Sequence, residues 1–412
     1  MQKVVVIGAG SSGLSVSYHL ARLGIEHTVI ERGQPGNTWL TERWDSFYLV
    51  NPNWALRLHG FEYKGTDPDG YLSKSETVKM LADYAESFSA PLRAGVEISS
   101  VERACPTGFI LRSDSGDILA ENVVIATGAF GVPAYPAGAA AITGVTQLHS
   151  SEYKNAGLLP AGAVLVVGSG QSGAQIMEDL FDSGRQVYVS VSGAGRRPRR
   201  YRGKDSSWWN NTMGGFDRTV NDVPSLDVRF GSSAHTSGTK GGHDIYLRAF
   251  ARDGVRLLGR FAGGSGSRLR FKDDLRRSLE ETDAHAARWR AGVDRYIEEN
   301  GLDAPPEPEP DPPGVSEIIV PDPPLELDLK SAGISTIIWA TGFRYDYSWI
   351  KLPVTGNRGY PVQRRGVTAW PGLYFSGLQW MFSAKSAQFI GVGEDACYVA
   401  EHIAAKLSGG GP

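Results

Sequence analysis

The sequence predicts an α/β chain made of two three-layer, Rossmann-like nucleotide-binding domains, the second inserted into the first. Three observations predict it. A glycine motif that follows an aliphatic strand occurs twice, as Gly8-Ala-Gly10-Ser-Ser12-Gly13 and as Gly168-Ser-Gly170-Gln171-Ser172-Gly173. A strand ending in Ala-Thr-Gly also occurs twice, finishing at Ala126-Thr127-Gly128 and at Ala340-Thr341-Gly342. The four elements alternate along the chain, which is the order expected of one domain interrupted by another.

The first strand is Val4-Val5-Val6-Ile7, four β-branched residues in a row, as suits a central parallel strand covered on both faces. Gly8 allows the tight turn that follows, Gly10 lets backbone approach a diphosphate, and Gly13 lets the next helix pack on the strand. That helix carries Val16, Leu20 and Leu23 on one face and stops at Gly24. A second strand, His27-Thr-Val-Ile-Glu31, ends in a carboxylate 31 − 13 = 18 residues past the last motif glycine. That is close to the ~20 expected of an acid that bonds ribose hydroxyls.

The second unit repeats the plan. Ala163-Val-Leu-Val-Val167 leads into Gly168, and the helix beyond Gly173 places Ile176, Met177, Leu180 and Phe181 on one face before Gly184. Its second strand, Val187-Tyr-Val-Ser190, ends without a carboxylate and opens into Gly195-Arg196-Arg197-Pro-Arg199-Arg200. Residues 1–155 then form the first part of one domain, 156–330 the insert, and 331–412 the return. Within the insert, about 205–300 mixes loops and short helices that would line a substrate. Its one long amphipathic helix, from Asp274 to Asn300, carries Leu275, Leu279, Trp289, Val293 and Ile297. Gly263-Gly-Ser-Gly-Ser reads as a flexible loop and the proline- and acid-rich residues 304–324 as a connector.

Composition sets the bounds. The chain has 412 residues, 41% apolar and 21% charged, with net charge −3 and pI near 6.3, so nothing points to nucleic acid or an anionic membrane as partner. Cys105 and Cys397 form no CxxC pair, which argues against a dithiol active site. Met1-Gln2-Lys3 runs straight into the first strand and no apolar run nears the ~20 residues of a membrane span, so a cytoplasmic enzyme is expected. No spacing suggests a metal site.

These motifs together resemble the flavin-dependent monooxygenases with two dinucleotide-binding domains, a group that includes microsomal-type, indole-3-pyruvate and Baeyer–Villiger enzymes. The likeness extends to Gly36-Asn-Thr38-Trp39, Arg43-Trp44-Asp45-Ser46, Gly372-Leu-Tyr-Phe-Ser-Gly377 and Gly391-Val-Gly-Glu394-Asp395. It is strongest to small bacterial flavoprotein monooxygenases. The family's Phe-x-Gly-x-x-x-His fingerprint is altered here to Ile142-Thr-Gly144-Val-Thr-Gln-Leu-His149, with one extra residue before the histidine. Tyr153, where the Baeyer–Villiger branch has Trp, argues against that branch.

The resemblance implies FAD at the first motif, the insert being the NADPH domain. Glu31 and Arg32 would take the adenosine ribose region, Val96 would offer backbone near the adenine, and Thr38, Trp39 and Trp44 would line the flavin's middle. Gly377 and Glu394 would close the flavin end. In the second unit Gly168 to Gly173, Ser190, Thr341 and Gly342 would hold NADPH. At least one of Arg196, Arg197, Arg199 and Arg200 would chelate its 2′-phosphate, which a carboxylate would repel. Hydride from NADPH would reduce the flavin, dioxygen would add to it as a C4a-hydroperoxide, and one oxygen atom would pass to a nitrogen, sulfur or activated carbon centre. Asn53, with Asn51 second, is the asparagine expected beside the flavin, although Asn-Pro-Asn is equally turn chemistry. Trp208, Trp209, Trp380 and Phe382 would wall an aromatic or bulky apolar substrate, although aromatic residues are equally common as core, with His243 a candidate acid or base and His149 structural. The expected partners are a small-molecule substrate and O2, with a homodimer as the assembly allowed. The alternatives are an NADPH-dependent flavoprotein reductase that oxygenates nothing, or Baeyer–Villiger oxygenation of a ketone.

Overall fold

A computed structural model of the chain describes residues 1–231, 234–306, 318 and 320–409. Its first sheet runs Leu92–Ala94, His27–Glu31, Gln2–Ile7, Ile118–Ile125, all parallel. The far edge of Ile118–Ile125 is shared: Leu373–Phe375 pairs with its end in parallel, and Phe109–Ser113 with its start in antiparallel. The second sheet runs Arg256–Leu258, Val187–Ser190, Ala163–Val167, Ile334–Trp339, Thr146–His149, parallel throughout. The two orders match strand for strand. The repeat read in the motifs therefore extends to the sheets.

This topology corrects one boundary. The strand Ile334–Trp339, with the second Ala-Thr-Gly after it, pairs with Ala163–Val167 and not with the first sheet. The insert's sheet thus extends past 331, and the chain re-enters the first sheet only at Leu373–Phe375. Thr146–His149, before 156, is likewise an edge strand of the second sheet.

Side chains on the central strands alternate between faces. Val4 and Val6 join a core that also takes Val164, Val166 and Ile338 of the other sheet. Val5 and Ile7 face a second core, while Leu165 and Val167 face a third. The apolar layer between the sheets is therefore common to both units. Both Ala-Thr-Gly elements have one structural reason. A Cβ on Gly8 would lie 2.5 Å from the Ala126 carbonyl oxygen, and one on Gly168 would lie 2.5 Å from that of Ala340. A Cβ on Gly13 would fall 1.9 Å from the Gly8 oxygen, and one on Gly173 would fall 1.9 Å from the Gly168 oxygen.

The helices Ser11–Arg22 and Gln171–Asp182 start at Gly10 and Gly170. The long helix spans Leu275–Glu299 and buries Leu275, Leu279, Val293 and Ile297 as expected, the last two against Tyr201 and Trp209. Gly263-Gly-Ser is not a loop: Phe261–Ser265 is a strand paired with Arg268–Phe271. A Cβ on Gly264 would sit 2.6 Å from Leu269 and 2.9 Å from Ile142, so close packing explains that glycine. Of the expected connector, 307–317 and 319 lie outside the described residues.

Candidate active site

The first glycine turn opens into a cavity of about 1150 Å³ that runs from the first sheet to the insert, where Gln171 of the second motif reaches it. Gly8, Gly10, Ser12, Glu31 and Arg32 line its near end, and a Cβ on Gly10 would meet nothing within 4 Å. Gly13 lies behind this wall, holding the helix against the strand. The Glu31 carboxylate accepts from Ala9 N at 2.8 Å and Gly33 N at 3.0 Å, which fixes it at the strand's end. Arg32 also pairs with Glu42 at 3.2 Å, mostly in solvent.

Farther along, Thr38, Trp39, Val96, Ala126, Thr127, Gly128, Gly377 and Trp380 line the cavity. Trp39 stacks on Phe389 at 6.1 Å, and Gln388, Phe389 and Val392 bring the start of helix Val392–Leu407 to the wall. Helix N-termini carry partial positive charge, so this end favours an electron-rich group. Arg43 is half-buried, over Trp39 at 5.3 Å and Phe130 at 5.4 Å, and desolvation lowers its pKa.

Several expected residues are elsewhere. Trp44 is 3% exposed and packs edge-on against Phe47 in the core. Asn53 is buried behind the cavity, its Nδ2 donating to the Asp67 carbonyl at 2.9 Å. Asn51 is the asparagine on the wall, donating to Gln388 Oε1 at 3.2 Å. The order of preference between them is reversed. Asn53→Ala is expected to cost about 1–2 kcal/mol of stability through the lost buried hydrogen bond, and Asn51→Ala under about 0.5 kcal/mol, as read by urea denaturation. Glu394 points away into an ion pair with Lys385 at 2.6 Å. Phe382 lies outside the lining, under the Arg365 guanidinium.

In the second unit only Gln171 of the glycine motif reaches the cavity lining; Gly168, Gly170, Ser172 and Gly173 form the turn behind it. Thr341 Oγ1 donates to the Ala134 carbonyl, and the Gly342 carbonyl accepts from His149 Nε2 at 2.9 Å, which leaves His149 structural. Ser190 is not available to a ligand. Its hydroxyl donates to the Gly259 carbonyl at 3.0 Å and accepts from Phe261 N at 2.9 Å. Gly8 N bonds the Ile30 oxygen and Gly168 N bonds the Ser190 oxygen, so Ser190 is the counterpart of Ile30 and its side chain points to the wrong face. The group that meets the second turn is Ser192: its Oγ accepts from Ser169 N at 3.3 Å, as Glu31 accepts from Ala9 N.

The four arginines separate. Arg196 is buried, paired with Asp244 at 2.8 Å and stacked 4.0 Å from the Tyr246 ring. Arg200 turns outward onto the Gly241 and Gly242 carbonyls. Arg197 and Arg199 line the cavity, Arg199 paired with Asp205 at 2.8 Å. Sequence reasoning missed Arg260, whose guanidinium ends 3.7 Å from where a Cβ on Gly193 would lie. It lies 260 − 258 = 2 residues past its strand, as Val96 lies 96 − 94 = 2 past the equivalent strand. It also missed His235, which bonds the Ser169 carbonyl within the glycine turn and is held down to about 4 by burial.

Trp208 and Trp209 do not wall the cavity. Trp209 is 1% exposed, donates to the Tyr201 carbonyl and belongs to the long helix's core, with Trp208 edge-on to it. Their helix turns Ser206, Ser207 and Asn210 to the cavity instead.

His243 also lies outside the lining, bonded to Glu178 Oε1 at 2.6 Å, and that hydrogen bond raises its pKa. A raised folded value means its contribution is full below the ordinary pKa near 6.5 and fades as pH rises through the folded value. His243→Ala is therefore expected to cost roughly 1 kcal/mol in urea denaturation at pH 5.5 and little at pH 9.

Among the described residues no group of three or more His, Cys, Asp or Glu could hold a metal, neither cysteine lines the cavity, and no helix is long and apolar enough to cross a membrane.

Residues 5–234 match the pyridine nucleotide-disulphide oxidoreductase family. A CzcO-like oxidoreductase of Geobacillus kaustophilus is 33% identical over 404 residues, which is 97% of each chain. The indole-3-pyruvate monooxygenase YUCCA1 of Oryza sativa is 32% identical over 192 residues, 45% of this chain and 47% of its own. A flavin-containing monooxygenase from Stenotrophomonas maltophilia shares the fold, with TM-score 0.68 over 99% of this chain and 100% of its own at 21% identity. The paired glycine turns and these relatives together make the chain an oxidoreductase of the pyridine nucleotide-disulphide oxidoreductase family, related to the flavin-dependent monooxygenases.

Proposed function

We propose that this chain holds FAD at the first glycine turn and NADPH at the second, and with them transfers one oxygen atom of dioxygen to a nitrogen, sulfur or activated carbon centre of a small aromatic molecule. One observation carries the reading: the close turn made by Gly8 and Gly13 is built again by Gly168 and Gly173, and both motifs reach a single cavity, the second through Gln171. The residues present fit both groups. Gly10 leaves open space where a diphosphate must approach, Glu31 offers its carboxylate at the ribose position, and the start of helix Val392–Leu407 faces the cavity's middle. In the second unit a neutral hydroxyl, Ser192, replaces that carboxylate, and Arg260 reaches over Gly193. A 2′-phosphate is repelled by neither and is attracted by the second.

Bound there, the two cofactors supply hydride transfer and the reduction of dioxygen. The chain supplies position and shelter. Helices Ser11–Arg22 and Gln171–Asp182 present free N–H groups to the diphosphates. Trp39, Phe389 and Trp380 exclude water from the cavity's middle, and Asn51 Nδ2, held toward Gln388, is a donor on that wall.

The names of the relatives that match by sequence or fold, a flavin-containing monooxygenase and an indole-3-pyruvate monooxygenase among them, support the reaction class. The test is NADPH consumption in air by the purified yellow protein across amines, thioethers, indoles and ketones. The reading expects at least one compound to speed consumption and to gain the mass of one oxygen. Unchanged consumption with every compound, all of it ending in hydrogen peroxide, would refute it.

A further inference from the structure

The residue between the first two glycines of each motif has both of its polar backbone groups taken, and the two units take them differently. In the first unit Ala9 N donates to the Glu31 carboxylate at 2.8 Å, and the Ala9 carbonyl accepts from Gly36 N at 3.1 Å. In the second unit Ser169 N donates to Ser192 Oγ at 3.3 Å, and the Ser169 carbonyl accepts from His235 Nε2. A backbone N–H thus holds the first turn, whereas a side chain holds the second.

His235 is placed for this bond alone. Its side chain is fully buried, and Nδ1 has no hydrogen-bond partner among the described residues. A carbonyl only accepts, so Nε2 carries the proton and the bond to Ser169 fixes the tautomer. Burial keeps the ring neutral, and the neighbouring Arg196 works in the same direction. The backbone behind the ring is pinned as well: His235 N donates to the Gly195 carbonyl at 3.0 Å, and the His235 carbonyl accepts from Ile245 N at 3.2 Å. One residue on, Gln175 Nε2 donates to the Thr236 carbonyl at 2.8 Å, which ties this segment to helix Gln171–Asp182. The C=O and N–H of a trans peptide point opposite ways, so drawing the Ser169 carbonyl to His235 turns the Gly170 N–H away from the ring. Ser169 is buried while Gly170 and Gln171 are half-buried, so that N–H lies toward the accessible start of the helix. Free N–H groups at such a start are what a diphosphate binds.

We propose that His235 is a positioning residue for the nicotinamide cofactor: its Nε2–H holds the Ser169–Gly170 peptide in the orientation that offers the Gly170 N–H to the cofactor's diphosphate. This rests on the reading of the second turn as the NADPH site. The histidine acts through the peptide, not by contact with the cofactor. The flavin's turn, held by Gly36, does not depend on it.

The test is calorimetric titration of the FAD-loaded protein with NADP⁺ and with adenosine 2′-monophosphate, which keeps the adenine and the 2′-phosphate and lacks the diphosphate. Asparagine places its amide nitrogen where Nδ1 lies and glutamine places its own near Nε2, so only glutamine can restore the donor. His235→Asn is expected to weaken NADP⁺ about 5- to 10-fold, the range of one lost hydrogen bond, and His235→Gln to stay within about twofold of the wild type. Flavin content and the affinity for adenosine 2′-monophosphate are expected to be unchanged in both. Equal NADP⁺ affinity in the wild type and His235→Asn, or equal losses in the two variants, would overturn the proposal. So would a loss of adenosine 2′-monophosphate affinity in His235→Asn as large as that of NADP⁺, which would make the histidine a prop for the whole insert. His235→Gln decides the matter alone where His235→Asn does not fold, since a loss of about 10-fold with the donor restored would overturn the proposal. Failure of the NADPH reading shows separately, as a wild-type protein that binds no NADP⁺.

Discussion

Gly173→Val is expected to yield a protein that remains yellow and no longer binds NADPH, while Gly13→Val is expected to yield one that cannot retain flavin. Both follow from one close approach of backbone to backbone. A Cβ at either position would lie 1.9 Å from a carbonyl oxygen of the preceding turn, of Gly8 in one unit and Gly168 in the other. The same Cβ would press on Ala126 or Ala340, the small residue that each Ala-Thr-Gly supplies. Backbone cannot yield as a flexible side chain can, so the helix must move off the strand, at a cost on the order of 3 kcal/mol or more. Its N-terminus then leaves the diphosphate. Flavin absorbance per chain and NADPH binding by fluorescence read the two losses independently. A Gly173→Val protein that bound NADPH normally would show that the second turn is not the nicotinamide cofactor's site.

The second large effect concerns Arg260. Replacing it with Ala is expected to weaken NADPH about 10- to 100-fold and leave NADH within about twofold, because only NADPH offers the 2′-phosphate and a charge-assisted bond is worth roughly 1.5–3 kcal/mol. Arg200→Ala is expected to change neither, since that side chain turns out onto the Gly241 and Gly242 carbonyls. Apparent KM for each cofactor decides it. Equal losses for both would remove Arg260 from the phosphate.

Much of this fold was readable because its signals are local. Four β-branched residues running into Gly8, and the same pattern into Gly168, set strand, turn and helix within a dozen residues, and Glu31 followed by counting. What was misread depended on register or on distant partners. Ser190 ends its strand in sequence as Glu31 ends the other, but the hydrogen bond from Gly168 N places it one position earlier, and one position in a strand reverses the face. Arg260 comes to Gly193 only because Arg256–Leu258 pairs with Val187–Ser190, a contact between segments some 70 residues apart. The arginine run could not be sorted by composition, since each guanidinium's place is fixed by a different partner: Asp244, Asp205, Trp289 or a glycine carbonyl. Trp208 and Trp209 illustrate the usual fate of aromatic residues, which is burial, while their small neighbours Ser206, Ser207 and Asn210 face the cavity.

The most direct measurement is turnover of the FAD-loaded protein with NADPH under ¹⁸O₂, with mass spectrometry of the product formed from a compound that stimulates NADPH consumption. A single ¹⁸O atom in that product is expected, with the NADPH consumed matching the product formed. Product carrying oxygen only from water, or all of the ¹⁸O recovered as hydrogen peroxide, would contradict oxygen transfer.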